Sequence, residues 1–404
     1  MTEAWYDLSE LDLSDPDTYS RYDQHQIWRQ LRSEGGIHRQ PGTADKPSFW
    51  VVTKYNDVKA VLGDTERFTS ERGNVFATLL AGGDTASGQM LAVTDGQRHK
   101  DIRTILTKAF SPRALNYVAE RVRGNASRLV SEAVGKESCD FATEVAERIP
   151  ISTICDLLGV PSGDHDILLG LTKSTLGSDR PGYDELEARL ARNEILLYFG
   201  DLVERRRKDP QEDVISVLAT AVVDGARLPE DTVVLNCYSL LLGGDETSRL
   251  SMIGAVQAFI DSPTEWRRLK NEEVTLETAT EEILRWTSPA MHFGRRAVVK
   301  SVIREHVIEA GDIVTVWLSS ANRDEEVFDR ADEMDLARSP NKHITFGHGR
   351  HFCIGSYLGR AEVSAMIEAL RSQVVNIERV GEPRPLHSNF FSGLRSLPVK
   401  LAAS

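Results

Sequence analysis

The sequence predicts a mainly α fold with a small β region, built as one domain. Three observations predict it. Helical spacing of apolar residues dominates the chain, strand-like runs are few and short, and no Gly/Ser-rich or Pro-rich linker divides the sequence. Length alone suggests two or three domains for 404 residues. With no boundary visible, 1–404 reads as a single body with an N-terminal tail of about 15 residues.

Taken in order, the chain begins with an acidic segment, Met1–Glu10, without the basic start and apolar run of a signal peptide. No stretch approaches the ~20 apolar residues of a membrane span, so the reading is a soluble, cytoplasmic protein. Phe49–Thr53 is the first strand-like run. From Pro229 the pattern stays helical until Asp261, where Ser262-Pro263 ends it. Roughly 30 residues make a rod of about 45–50 Å, apolar on nearly all sides at its centre and therefore set through the core. Halfway along stand Gly243 and Gly244, followed by Asp245, Glu246, Thr247 and Ser248. Each glycine costs roughly 1 kcal/mol in a helix interior. Two readings stand side by side: a crossing helix packs on the glycines, or the helix opens locally where a small ligand meets an acid and a hydroxyl. Thr278-Ala-Thr-Glu281 resembles a capping box starting a helix that carries Glu282 and Arg285 on one face. Val298–Ile303, Val307–Ile308 and Ile313–Leu318 are strand-like, and Glu309–Asp312 between the last two predicts a hairpin.

Composition narrows the function. Lys plus Arg number 48 against 61 Asp plus Glu, a net charge of −13. Nucleic-acid binding needs a basic surface, so that class is disfavoured. Cys139, Cys155, Cys237 and Cys353 show no C-x-x-C spacing, which argues against a zinc ribbon, and four scattered cysteines do not make a disulfide framework.

The informative segment is Phe346-Gly-His-Gly-Arg-His-Phe-Cys-Ile-Gly355. Its glycines permit positive φ and close approach to something flat. Cys353 precedes Tyr357, Leu358 and Ala361 at helical spacing, so the sulfur lies at a helix N-terminus, where a thiolate is favoured. Cys353 reads as an inert buried cysteine, as a nucleophile paired with His351, or as a thiolate ligand to heme iron.

The pattern F-x-x-G-x-H-x-C-x-G, filled by Phe346, Gly349, His351, Cys353 and Gly355, resembles the heme-binding signature of the cytochrome P450 family. Other segments resemble that family in the same order: Gly243–Ser248, Glu282-Ile-Leu-Arg285, Ala321-Asn-Arg-Asp324, His99 and Arg103 before Ala109–Pro112, and Phe390–Gly393. The resemblance runs from about residue 15 to the end. It implies the family's fold in its soluble bacterial form, with heme b (iron protoporphyrin IX) wedged between the long helix and the cysteine helix.

The same resemblance implies roles. Cys353 is the metal ligand, with Phe346, Gly349 and Gly355 shaping its surroundings. His99, Arg103, Arg295 and His351 hold the heme propionates, Arg295 being preferred to Arg296 by its distance to Ala297. Glu246 and Thr247 are the catalytic proton-handling pair, and Asp245 is expected at the surface or in an ion pair. Glu282 and Arg285 are structural. Substrate-contacting segments fall at 73–91, 168–185, the long helix around Ser239, Leu242 and Gly243, 289–293 with Ala290, Met291, His292 and Phe293, and 390–392 with Phe391. The first of these reads as a flexible lid.

The implied activity is a monooxygenase hydroxylating or epoxidising a small-molecule substrate in secondary-metabolite or antibiotic biosynthesis, the substrate free or tethered to a carrier protein. It uses O2 and electrons from NAD(P)H through a ferredoxin reductase and a ferredoxin. Lys100, Arg103, Lys108, Arg113, Arg350 and Arg360 fall in the segments expected on the cysteine side, a basic patch suited to an acidic ferredoxin. A monomer is expected. Oxidative coupling, N-oxidation or desaturation by the same cofactor, a non-catalytic thiolate–heme sensor, and a heme-free Cys–His transferase or hydrolase are the other readings.

Overall fold

The computed structural model describes residues 5–176 and 185–403. The elements used below are helices α1 (Gly96–Ala109), α2 (Arg148–Leu158), α3 (His165–Leu176), α4 (Glu185–Lys208), α5 (Glu230–Asp261), α6 (Leu276–Thr287) and α7 (Ser356–Gln373). The strands are β1 (Ile37–Gln40), β2 (Phe49–Val52), β3 (Phe68–Thr69), β4 (His292–Ala297), β5 (Ser301–Ile303), β6 (His306–Ile308) and β7 (Ile313–Trp317).

The long helix has the expected bounds. Pro229 is its N-cap residue, Glu230 and Asp231 sit in its first turn where the dipole favours acids, and Asp261 ends it before Ser262-Pro263. It packs on α2, α4, α6 and α7. It is unbroken at Gly243-Gly244, so no local opening exists. The two glycines divide the two readings. A Cβ on Gly244 would lie 3.0 Å from Ile154 of α2, whereas one on Gly243 would meet nothing within 4 Å. Gly244 admits the crossing helix, and Gly243 leaves space.

The sheet order is β1-β2-β7-β4-β3. β7 is its buried centre, parallel to β2 with Val314 opposite Trp50, and antiparallel to β4 with Thr315 opposite Gly294. The predicted hairpin is therefore misplaced. β6 pairs with β5 around Arg304 at φ 53°, and Glu309–Asp312 leads instead into the sheet centre. A parallel partner from far upstream outcompetes the local turn, which no local signal reveals. α6 also starts earlier than the capping pattern suggests. Thr275 is the cap and accepts from Thr278 N–H, which frees Glu281 for other work. In the N-terminal segment, Leu11 and Leu13 are buried with Trp28 and Trp317.

Candidate functional site

A cavity of about 340 Å³ lies between α5 and the loop before α7. Among its walls are Ser239, Leu242, Gly243 and Thr247 from α5, Phe293 and Arg295 from β4, and Ala290 bridged to Phe391. Phe346, His351, Cys353 and Gly355 form the opposite wall, and Arg103 enters from α1. His99 and Gly349 stand with Arg103 on the adjoining rim.

The cysteine loop is built by its glycines. Gly347 and Gly349 both have φ 74°, and a Cβ on Gly349 would come within 2.7 Å of the Leu62 carbonyl. The turn closes through Cys353 N–H to the Phe346 carbonyl at 2.9 Å. The Phe346 ring is backed by the Arg360 guanidinium, 4.5 Å from its centroid. Cys353 is exposed in the cavity wall; desolvation by the surrounding protein pushes its thiol up, and the Gly355 N–H, Arg103 and Arg360 oppose that shift.

Among the described residues, Arg295 and His99 at the rim have no ion pair. Arg295 is 3% exposed, gives one N–H to the Gly294 carbonyl at 2.7 Å, and leaves Nε unpartnered. Burial lowers it to about 10. His99 is also 3% exposed with Nε2 unpartnered, and burial, helped by His351 and Arg103, lowers it to about 4. Buried charges and ring nitrogens left open in this way call for an anionic acceptor. Arg103 donates to the Phe352 carbonyl at 2.7 Å. His351 commits Nε2 to Asp95 at 2.7 Å. Burial pushes the Asp95 carboxyl up, but bonds from His351, Thr69 and Ser70 outweigh that and hold it at about 2.

Strand alternation decides the β4 residues. Phe293 and Arg295 face the cavity, so His292, Gly294 and Arg296 face away. Gly294 sits against Leu79 and Arg296 donates to the Gly311 carbonyl. Alternation turns His292 away, Met291 precedes the strand, and neither residue lines the cavity. Met291 is buried with Trp28 and Trp317, and the His292 ring lies 4.3 Å from Phe76 and 4.6 Å from Trp317. Burial lowers His292 to about 3, so it is a neutral core ring. The period of two from Arg295 was the signal that would have excluded it.

The acids of α5 also differ from expectation. Asp245 is not at the surface, and among the described residues it has no ion pair. It is 1% exposed with Oδ1 unpartnered, because its place on the helix turns it toward α2 and α7. Glu246 is equally buried and bonded by Arg249 at 2.5 and 3.1 Å, which removes it from direct contact with solvent. Thr247 faces the cavity and donates to the Gly243 carbonyl at 3.2 Å.

Glu282 and Arg285 are fully buried, and Arg285 binds the carbonyls of Asn322, Ala331 and Glu333, a structural knot. The lid-like stretch is tied down at one end: Leu91 N–H donates to Asn236 Oδ1 at 2.9 Å, and Asn236 Nδ2 donates to the Gln89 carbonyl. Of the segment 168–185, residues 177–184 lie outside the described residues. Of the basic set, Lys100, Arg103, Lys108 and Arg350 share one rim, whereas Arg360 is engaged by Glu281 and Arg113 by Glu212. Sequence reasoning missed Asp95, Asn236 and Glu362. Asn236 had a faint signal as the lone amide in an apolar run. The other two had none.

Residues 191–389 match the family model described as Cytochrome P450. Cytochrome P450 NovI of Streptomyces niveus is 45% identical over 395 residues, covering 98% of this chain and 97% of NovI. The steroid C26-monooxygenase of Rhodococcus jostii is 30% identical over 96% of this chain and 84% of its own. The crystal structure of P450 OxyD, involved in the biosynthesis of vancomycin-type antibiotics, aligns with a TM-score of 0.89 at 35% identity, over 98% of this chain and 100% of OxyD.

Proposed function

The chain belongs to the cytochrome P450 family, and on that premise we propose that it is a heme–thiolate monooxygenase that hydroxylates or epoxidises a small organic substrate in secondary-metabolite biosynthesis. One observation supports this above the rest. The cavity wall carries a cysteine, and its rim holds a buried guanidinium and a buried imidazole, Arg295 and His99, that have no ion pair among the described residues. An iron porphyrin matches that donor set, with its metal at Cys353 and its propionates at Arg295, His99 and Arg103. When bound, heme b supplies the activation of O2 for oxygen insertion. His351, oriented by Asp95, keeps Nδ1 for the same carboxylates. The Gly355 N–H, Arg103 and Arg360 favour the anionic sulfur.

The remaining residues orient and protonate. Thr247 holds a hydroxyl over the cavity and can turn its proton from the Gly243 carbonyl toward a ligand there. Gly243 leaves open space beside it. Ser239, Leu242, Ala290, Phe293 and Phe391 make a mostly apolar wall around the substrate, consistent with an unactivated carbon as the point of attack. Electrons arrive from NAD(P)H through a ferredoxin reductase and a ferredoxin docked over Lys100, Lys108 and Arg350. Among the described residues, no helix is long and apolar enough to cross a membrane.

The test is optical. Purified protein takes up heme and, reduced under CO, gives the thiolate-type band, and Cys353→Ala abolishes that band. A protein that stays colourless with added hemin overturns the reading. A spectral-shift screen then finds the ligand class. Product mass separates insertion (one oxygen gained) from coupling or desaturation (two hydrogens lost).

A further inference from the structure

Asn236 stands in the apolar first half of α5 and is 1% exposed. A buried amide is tolerated when its donors and its acceptor are met. Here Oδ1 accepts from Leu91 N–H at 2.9 Å, and the two Nδ2 hydrogens go to the Gln89 carbonyl at 2.8 Å and the Thr232 carbonyl at 2.7 Å. A flipped amide would set its oxygen against two carbonyls, so the orientation is fixed.

The spacing of the partners carries the inference. One side chain takes the carbonyl of residue 89 and the N–H of residue 91, and Met90 between them is extended, with φ −93° and ψ 131°. A residue of a neighbouring parallel strand would take the same two groups. The Asn236 amide is therefore a single rung of a β-ladder projected from a helix. It holds backbone in one register, whatever the side chains.

Little else holds this stretch from a distance. Among the described residues, the other long-range hydrogen bond on Gln89–Ala92 runs from Asn74 Nδ2 to the Ala92 carbonyl, at 3.4 Å. The remaining bonds are local, such as Met90 N–H to the Ala86 carbonyl and the Thr94 hydroxyl to the Met90 carbonyl. Gly88 and Gly96, at φ 74° and 62°, bracket the stretch. A Cβ on either would meet nothing within 4 Å, so glycine serves backbone rotation there and not space. Leu91, Ala92 and Asn236 all line the cavity.

We propose that Asn236 is a positioning residue that fixes the cavity wall at Leu91 and Ala92, so that the shape offered to a substrate depends on one amide of α5. With the bonds to Gln89 and Leu91 made, the wall stands in one register. With them broken, the stretch between Gly88 and Gly96 moves off α5, while Nδ2 keeps its bond to Thr232. Ligands large enough to reach the wall sense the difference, and ligands confined to the floor of the cavity do not. The inference deepens the heme–thiolate reading and rests on it only for the ligands that report the wall.

The test is hydrogen–deuterium exchange of the heme-loaded enzyme, read on peptides covering residues 84–95. Asn236→Leu, apolar and similar in size, speeds exchange there on the order of 10–100-fold, as the loss of two net hydrogen bonds requires. Peptides covering β7 keep their wild-type rate. Asn236→Asp keeps an acceptor for Leu91 N–H and loses the donor to Gln89, so its rate falls between, and it carries the test if the leucine variant does not fold. Unchanged exchange in a folded variant, or a rise shared by β7, overturns the proposal. The wall itself is read by difference spectra with two ligands that bind heme iron through nitrogen, imidazole and 4-phenylimidazole. Asn236→Leu weakens 4-phenylimidazole several-fold and leaves imidazole unchanged. An equal effect on both, or an effect on neither, overturns the wall role. Exchange needs neither iron nor turnover, so a protein that refuses heme yet shows the local effect sinks the heme–thiolate reading alone.

Discussion

Arg295 shows how one residue reports on an absent partner. An arginine 3% exposed with no ion pair among the described residues is a poor choice for stability, because a guanidinium without an anion keeps its desolvation cost. Arg295→Met is therefore expected to raise the melting temperature of heme-free protein and lower that of the loaded enzyme. A charge-assisted bond contributes about 1.5–3 kcal/mol, so hemin affinity falls roughly 10–150-fold. Calorimetry with and without heme checks the reversal, and a variant less stable in both states refutes the anion-site role. At this scale the sequence was informative where a motif supplied it: the cysteine loop and the choice of Arg295 over Arg296. It was silent on Asp95, whose carboxylate serves His351, Thr69 and Ser70 rather than its own helix cap. The residues that meet there are separated by 256 positions in the chain.

At the scale of elements, Glu281 ties two helices together. From α6 it accepts two bonds from Arg360 of α7, at 2.6 and 3.0 Å, and one from His343 at 3.0 Å. Arg360 in turn lies over Phe346, so this knot stiffens the cysteine loop. Partial burial raises the Glu281 carboxyl, but His343 and Arg360 outweigh it and hold it at about 2. A depressed carboxylate stabilises the fold above its ordinary value of about 4.3, and that stabilisation fades as pH falls toward about 2. Glu281→Gln should cost about 1–3 kcal/mol near neutrality. The gap from wild type should close as the solution is acidified, and denaturant melts across that range measure it. Helix boundaries such as Pro229 and Ser262-Pro263 were legible because proline acts on its immediate neighbours. The capping box was misread because Thr275, three residues upstream, caps the helix, and the hairpin because a strand from far upstream pairs with Ile313–Trp317.

At the scale of the molecule, a chain of net charge −13 gathers Lys100, Arg103, Lys108 and Arg350 on one rim. Local charge steers an acidic partner over distances comparable with the ~10 Å Debye length at 0.1 M salt. The double variant Lys100→Glu, Lys108→Glu is expected to slow reduction by ferredoxin several-fold at low ionic strength while leaving the heme spectrum intact. The difference should shrink in high salt. Stopped-flow reduction rates report it, and a salt-independent loss refutes docking on this rim. The sheet belongs to the same scale. β2 and β7 pair in parallel although more than half the chain runs between them, so most of the helices, α1 to α6, are folded between those two strands.

By itself the sequence determined the fold class, the long central helix with its limits, and the cysteine loop, because each depends on spacing and on residues adjacent in the chain. Only the tertiary structure decided that His292 and Met291 turn into the core, that Asp245 is buried with no ion pair among the described residues, and that Glu362 lines the cavity with Ser248 and Thr153. Burial and pairing depend on what arrives from distant segments, and the ionisation of an acid depends on those neighbours rather than on its position in a motif.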